Sequence, residues 1–159
     1  DPKRRLTWFG PDMGLMMFTT ARQMETWAHG QDIYDCLNRT RINTDRLKNI
    51  VVIGVKTFGW TFINRKIQPP SPVPYVKLDA PSGEVWEFGE PSGENYISGA
   101  AVEFCHVVTQ GRNIRDKDIH LRVVGESAQQ WMDIAQCFAG PPELPPKPGS
   151  RTSQLNGLG

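Results

Sequence analysis

The stretch LMMFTTARQMETWAHGQDIYDCL, residues 15–37, decides the fold of this chain. Pro11 and Gly14 precede it and mark the entry to a new element. Its apolar spacing predicts an amphipathic helix. At 3.6 residues per turn, one face of that helix carries Phe18, Ala21, Glu25, Ala28, His29, Asp32 and Cys36. The opposite side carries Met16, Gln23, Trp27, Gly30 and Tyr34.

A second helix is predicted after a short loop. Asn43 or Thr44 is a suitable N-cap, and the helix dipole favours Asp45 in the first turn. The helical spacing continues through Leu47, Ile50, Val51, Gly54, Val55, Phe58 and Phe62, and the helix is expected to end near residues 65–66. Two amphipathic helices with a short connection form an antiparallel hairpin. Because a hairpin alone cannot close a core, we expect missing N-terminal helices, a second chain or the C-terminal lobe to cover it.

A proline-rich linker at residues 68–74 divides the chain into two predicted parts. Residues 1–67 form the helical part, and residues 75–140 form a small α+β lobe. The composition turns to proline, glycine and serine near the C-terminus, which predicts a disordered tail over residues 141–159. The expected fold class is therefore α+β, with two helices followed by a small mixed lobe.

Within the lobe, alternating apolar residues predict three strands, at residues 75–78, 85–88 and 119–123. Ser98 is predicted to cap the helix between the second and third strands, and Ser127 the last helix. The lobe is thus expected to contain three strands and two helices.

Composition excludes several classes of function. Hydrophobic residues make up 38% of the chain and charged residues 22%, with a formal net charge of +1, which is typical of a globular protein. Basic residues are scattered, so neither a nucleic-acid surface nor a polybasic membrane patch is expected. No apolar run has transmembrane length and no signal peptide is recognised, so the cytoplasm is the expected location. Cys36, Cys105 and Cys137 lie far apart, which favours buried thiols over a disulfide framework or zinc site.

The first helix carries the residues best suited to chemistry. Glu25 and His29 are four positions apart, so their side chains share a face and can bind one divalent ion. Asp32 lies within a turn of His29 and could orient its ring, and Arg22 lies within a turn of Glu25. In the alternative reading, Glu25 simply pairs with Arg22 and His29 is solvated. A catalytic metal usually needs three protein ligands, and His106 and His120 lie beyond the linker, so a third ligand is expected outside this chain.

The motif TARQMETWAHGQDI at residues 20–33 resembles a segment of the DinB-like metal-binding superfamily, in its branch related to mycothiol-dependent maleylpyruvate isomerase. The resemblance includes WFGP at residues 8–11, GVKTFGW at residues 54–60 and WMDIAQ at residues 131–136. It ends at FAGPP, residues 138–142, and so covers most of the chain up to the tail.

The resemblance implies two helices of a four-helix bundle, with Glu25 and His29 matching its ExxxH ligands. It also implies that a histidine of a preceding helix, absent here, completes a triad around zinc or nickel. The sequence VTQGR at residues 108–112 is similar to the signature that ends a helix of the family's smaller lobe. In the isomerase an arginine near this point holds a substrate carboxylate, which assigns substrate binding to Arg112. Alternatively, Arg112 is an ordinary helix-end cation.

Three hypotheses about function follow. In the first, a metal ion activates a low-molecular-weight thiol that attacks a small-molecule substrate, giving an isomerase, a thiol transferase or, less specifically, a hydrolase. No catalytic residue is assigned. In the second, the chain is a non-catalytic module. In the third, it is one piece of a complex or homo-oligomer whose partner completes the bundle, since large uncovered apolar faces are uncommon on monomers.

Overall fold

The computed structural model describes residues 5–6 and 13–151. The WFGP motif at residues 8–11 and residues 152–159 of the predicted tail lie outside the described part. The described helices are α1 Leu15–Cys36, α2 Lys48–Lys56, α3 Phe58–Ile63, α4 Ala101–Val108 and α5 Glu126–Ile134. The described strands are β1 Arg5–Leu6, β2 Met13–Gly14, β3 Tyr75–Asp79, β4 Val85–Phe88, β5 Tyr96–Ala100 and β6 Arg122–Val124.

The long helix α1 has nearly the predicted bounds, whereas the second predicted helix is interrupted. A 3₁₀ turn at Asp45–Leu47 leads into α2, and Thr57 separates α2 from α3. The Thr57 hydroxyl donates to the Ile53 carbonyl at 2.8 Å, a back-bond of the kind that often bends helices. The predicted helix is therefore two short helices.

The loop after α1 brings the chain back along that helix. The Trp27 indole N–H donates to Asn43 at 3.0 Å, and the Gln23 amide donates to the Arg46 carbonyl at 2.9 Å. Along the returning chain the residue numbers rise, while the numbers of their hydrogen-bond partners on α1 fall. The two segments run antiparallel, as the hairpin prediction requires.

The second lobe is built on a four-stranded mixed sheet with the order β4-β3-β5-β6. β3 pairs antiparallel with β4 and parallel with β5, and β5 pairs antiparallel with β6. The predicted strands at residues 75–78 and 85–88 are confirmed as β3 and β4. The mixed α+β class is therefore confirmed.

Two predicted caps are wrong. Ser98 lies inside β5, and the helix expected there begins three residues later at Ala101. α5 begins after Gly125, whose φ of 92° suits a residue without a side chain, and no side chain caps the helix. The third predicted strand, residues 119–123, is shifted to Arg122–Val124.

One hydrophobic core joins the helices to the sheet. Gly54 of α2 lies so close to α4 that a Cβ there would be 2.9 Å from Phe104 Cε1 and Val108 Cγ2. Trp131 of α5 makes edge contacts with Phe58 and Phe104. Residues on both sides of the proline-rich segment 68–74 thus pack into the same core.

Candidate functional site

Helix α1 does not bury the face that carries Glu25 and His29. Its buried residues are Ala21, Met24, Trp27 and Gln31. Trp27, which the helical projection places opposite the Glu25 face, is 7% exposed and packs against the His106 ring at a centroid distance of 4.8 Å. Burying a large indole contributes more than burying alanines, so the helix turns Trp27 inward and leaves His29 outward.

Glu25 and His29 are therefore not enclosed by apolar neighbours. The Glu25 side chain is 33% exposed and accepts a hydrogen bond from Arg22 Nη1 at 2.5 Å. The His29 side chain is 85% exposed. The Arg22–Glu25 pairing and the exposure of His29 match the alternative interpretation of the sequence.

Glu25 and His29 nevertheless line one wall of the same cleft. The cleft has a volume of about 370 Å³ and lies between α1, the turn after α4 and the C-terminal segment. Asp32 lies on the same wall, with its Oδ2 4.0 Å from His29 Nδ1 and its Oδ1 3.8 Å from Arg151 Nη1. Asp32 is thus placed where it can orient the His29 ring, although the distance is long for a direct hydrogen bond.

The opposite wall is formed by a segment for which the sequence predicts disorder. Residues 141–151 have no regular secondary structure, but polar side chains of the lobe hold their backbone. Gln110 donates to the Glu143 carbonyl at 3.0 Å, and Asn113 donates to the Pro146 carbonyl at 2.8 Å. Asp116 accepts from the Gly149 N–H at 2.7 Å. These hydrogen bonds bring the segment alongside α1, and amino-acid composition alone does not predict them.

The cleft is lined by Glu25, His29, Asp32 and Glu143, but these side chains do not meet as a complete metal site. Within residues 13–151, no group of three or more His, Cys, Asp or Glu side chains is arranged to hold a metal ion. His106 is buried against Trp27, and His120 pairs with Glu103 at 3.4 Å, so neither lines the cleft with His29. Glu25 and His29 have suitable donor atoms, accessible and one helical turn apart. They fit part of a metal site.

Arg112 does not line this cleft. It is 4% exposed, and its Nη2 donates to Asp35 Oδ1 at 2.8 Å while its Nε lies 3.5 Å from Asp118 Oδ2. Its Nη1 donates to the Gly111 carbonyl at 2.9 Å. Arg112 therefore ties the turn after α4 to the last turn of α1.

A second polar cluster surrounds Arg112 and was not predicted. Gln31 donates to Asp35 at 2.9 Å. Burial raises the pKa of Asp35, but the hydrogen bonds from Arg112 and Gln31 lower it more, so its net direction is downward. Burial, together with the charge of Arg112, lowers the pKa of His106 to about 4. The only sequence signal was the four-residue spacing of Gln31 and Asp35 on one helix face.

Two of the three cysteines are buried, as predicted, whereas Cys36 is exposed. Burial raises the pKa of Cys105, and it raises the pKa of Cys137 to about 12. Neither buried thiol is a ready nucleophile, because the thiolate is the reactive form. No helix in residues 13–151 has both the length and the apolar character needed to cross a membrane.

The fold is mixed α+β, and Glu25 and His29 share one surface cleft. The chain is 45% identical over 139 residues to two proteins of Mycobacterium tuberculosis, the uncharacterized protein Rv0036c of strain H37Rv and the uncharacterized protein MT0041 of strain CDC 1551. The match covers 87% of this chain and 53% of each relative, so the chain spans about half the length of the curated relatives it matches. No protein-family model matches the chain. No solved structure matches it significantly.

Proposed function

We propose that this chain supplies two ligands, Glu25 and His29, to a divalent metal ion in a metal-dependent enzyme. The resemblance to the DinB-like superfamily implies zinc or nickel as the ion, and an imidazole is a suitable ligand for both. The observation that carries the proposal is their common cleft, in which a carboxylate and an imidazole one turn apart both reach open space. We also propose that the chain belongs to the DinB-like superfamily, which its sequence resembles, and that α1 and α2 are helices of a four-helix bundle.

The third ligand, in this proposal, comes from a preceding segment of a longer polypeptide or from a partner chain. Two features support this. The described residues contain no group of three or more His, Cys, Asp or Glu side chains arranged to hold a metal ion. The curated relatives are nearly twice as long as the matched region, which leaves room for further helices in a protein of their kind.

The residues around the ligands have separate roles. Arg22 holds the Glu25 carboxylate, and Asp32, whose Oδ2 lies 4.0 Å from His29 Nδ1, would orient the imidazole by closing to hydrogen-bond distance. His29 would bind the ion through a nitrogen of its neutral imidazole. A bound ion would lower the pKa of a thiol cosubstrate and so increase the concentration of its thiolate. The proposed reaction is isomerisation of, or thiol transfer to, a small-molecule substrate.

Arg112 has a conditional place in this function. A substrate carboxylate at Arg112 would replace Asp118, the longer of its two ion pairs and the partner whose side chain is 47% exposed. The pair with Asp35 is shorter and less exposed, so it would stay. Substrate binding by Arg112 therefore requires an exchange of partners in which Asp118 moves away.

Metal analysis of the purified full-length protein tests the proposal. We expect close to one equivalent of zinc or nickel after dialysis, and loss of that metal in Glu25→Gln and His29→Ala. His120→Ala is the matched control, because His120 is also exposed and also lies beside a carboxylate, Glu103. Metal retained in both ligand variants, or lost equally in the control, would contradict the assignment.

The second candidate function is a non-catalytic subunit, favoured by exposed apolar side chains on α1 and the following loop. Ile33 is 62% exposed, Leu37 is 65% exposed and Ile42 is 91% exposed. A partner chain or second copy that covers these residues would complete the bundle without chemistry of its own. Light scattering after size exclusion distinguishes the two. A stable oligomer that holds no metal supports the subunit, and a metal-bound monomer contradicts it.

A further inference from the structure

A second pocket, of about 250 Å³, lies at the C-terminal end of α1 and shares no lining residue with the Glu25 cleft. It is enclosed by Gln31 and Asp35 of α1, by the loop at residues 38–43, and by His106 and Arg112 from α4 and its following turn. Its charged groups are three arginines, Arg39, Arg41 and Arg112, and one aspartate, Asp35. The pocket therefore has an excess of positive charge.

Arg112 is not free to bind a ligand here, but the two loop arginines are. Arg112 is engaged by Asp35 and Asp118. Arg39 and Arg41 form no ion pair with any carboxylate in residues 13–151. Two guanidinium groups without a carboxylate partner, at the rim of a pocket, are suited to a carboxylate or another oxyanion.

Arg41 is held in position by the protein. Its Nη1 donates to the Trp27 carbonyl at 2.7 Å, and its Cζ lies 5.4 Å and 5.3 Å from the ring centroids of Trp27 and Tyr34. The guanidinium also approaches α1 at Gly30, where a Cβ would lie 3.4 Å from Nη1. This separation is an ordinary van der Waals distance, so the guanidinium packs directly against α1. Arg41 is thus preorganised at the rim.

The floor of the pocket contains a buried hydrogen-bond acceptor without a partner. Gln31 is 8% exposed and its Nε2 donates to Asp35, but its Oε1 is buried and unpaired in the part of the chain that the structure describes. His106 Nδ1 is also buried and unpaired there. Such groups are rare in folded proteins because an unmade hydrogen bond is costly when buried. Because Gln31 Oε1 can only accept, it indicates a ligand that brings its own donor.

We propose that this pocket binds a small organic anion that also carries a hydroxyl group, as a 2-hydroxy carboxylate does. The carboxylate lies against Arg39 and Arg41, and the hydroxyl donates to Gln31 Oε1. The volume suits a molecule of this size and excludes a large cofactor. The site does not depend on a metal at Glu25 and His29.

The test is a titration of the full-length protein at neutral pH, followed by NMR of the Gln31 side-chain amide and the arginine Nε–H groups. The probe is sodium L-lactate. Sodium propionate is the matched probe without the hydroxyl, and sodium chloride controls for ionic strength. We expect saturable shifts with lactate, weaker binding of propionate and no saturation with chloride. Chemical-shift changes that are linear in salt concentration and equal for all three salts would show that the pocket does not bind the anion.

Variants assign the contacts. Arg39→Gln is expected to weaken lactate binding about threefold or more, the scale of an exposed charge pair. Arg115→Gln is its control, because Arg115 is an exposed arginine that pairs with Asp133 away from the pocket. Gln31→Met should abolish the preference for lactate over propionate. Arg39 is exposed and donates no side-chain hydrogen bond in the described structure, so Arg39→Gln stays decisive even when Gln31→Met fails to fold. Equal binding by Arg39→Gln and Arg115→Gln would contradict the proposal.

Discussion

The guanidinium of Arg112 donates to the carboxylate of Asp35 over 2.8 Å, although the two residues lie 77 positions apart. The pair is largely buried, with side-chain exposures of 5% and 19%. It joins the C-terminal turn of α1 to the turn after α4, and so it fixes both pockets relative to the lobe. A buried pair of this kind is costly to break, because removing one partner leaves the other charge without compensation.

Replacing Arg112 by methionine is therefore expected to destabilise the fold. The change keeps much of the side-chain volume but leaves Asp35 buried with only Gln31 as a donor. We expect the free energy of unfolding to fall by about 3 kcal/mol. Urea unfolding followed by circular dichroism measures the loss.

Arg115→Met is the matched control for that change. Arg115 pairs with Asp133 at the same 2.8 Å distance, but the two side chains are 62% and 42% exposed. Surface pairs contribute little, so we expect an effect within about 0.5 kcal/mol. Equal losses in the two variants would show that burial does not decide the strength of the Arg112 pair.

His106 makes stability depend on pH. Its pKa is lowered from 6.5 to about 4, chiefly by burial, so the unfolded chain binds a proton in this interval and the folded chain does not. Stability is therefore complete above about pH 6.5 and falls as the pH drops toward 4, by about 3 kcal/mol in total. Between pH 7 and 5, before most carboxylates titrate, unfolding free energies should decrease in the parent protein. In His106→Gln this slope should be reduced.

His120→Gln provides the comparison for the pH profile. The His120 side chain is 75% exposed and its Nδ1 lies 3.4 Å from Glu103 Oε1. We expect this variant to keep the slope of the parent protein between pH 7 and 5. If the slope persisted in His106→Gln and disappeared in His120→Gln, the pH dependence would come from His120 and not from His106.

Periodicity predicted the existence and the bounds of α1, but not its rotation about its own axis. Apolar residues occur all around this helix, with Phe18 and Trp27 on opposite sides, so the pattern did not identify one buried stripe. Tertiary contacts set the rotation of α1 instead, because the returning loop and His106 pack against Trp27. The strand β5 was missed for a similar reason, since Ser98 and Gly99 are typical of a helix cap or turn rather than of a strand.

The ligand pair and the Arg112 cluster differ in how far sequence could predict them. Glu25 and His29 are neighbours on one helix, so their spacing alone places them together. Asp35, His106 and Arg112 meet only through the packing of α1 on α4, and no local pattern encodes that contact. The docking of residues 141–151 likewise depends on Gln110 and on tertiary contacts.

Because α2 approaches α4 closely, we expect substitution by alanine to affect stability very differently at two glycines. In Gly54→Ala the new Cβ would lie 2.9 Å from Phe104 and Val108, so we expect a loss of about 1–3 kcal/mol from overpacking. Gly59→Ala is the control, since no atom lies within 4 Å of the corresponding Cβ in α3. Because alanine has a better helix propensity than glycine, Gly59→Ala should leave the free energy of unfolding unchanged or raise it by less than about 1 kcal/mol. Thermal unfolding of the two variants measures the difference, and a stable Gly54→Ala would contradict the packing.

The final prediction concerns Arg22 and depends on the proposed metal site. Arg22 holds Glu25 at 2.5 Å, so a metal ion must share or displace this contact, and it also meets the positive charge of the guanidinium. In the full-length protein, Arg22→Met is therefore expected to bind zinc about two- to fivefold more tightly, the scale of one partly exposed ion pair. Competition with a zinc indicator measures the affinity, and Arg39→Met controls for the loss of one positive charge elsewhere. Weaker zinc binding in Arg22→Met would mean that the arginine orients Glu25 for the metal, because the benefit of orientation would then exceed the cost of competition.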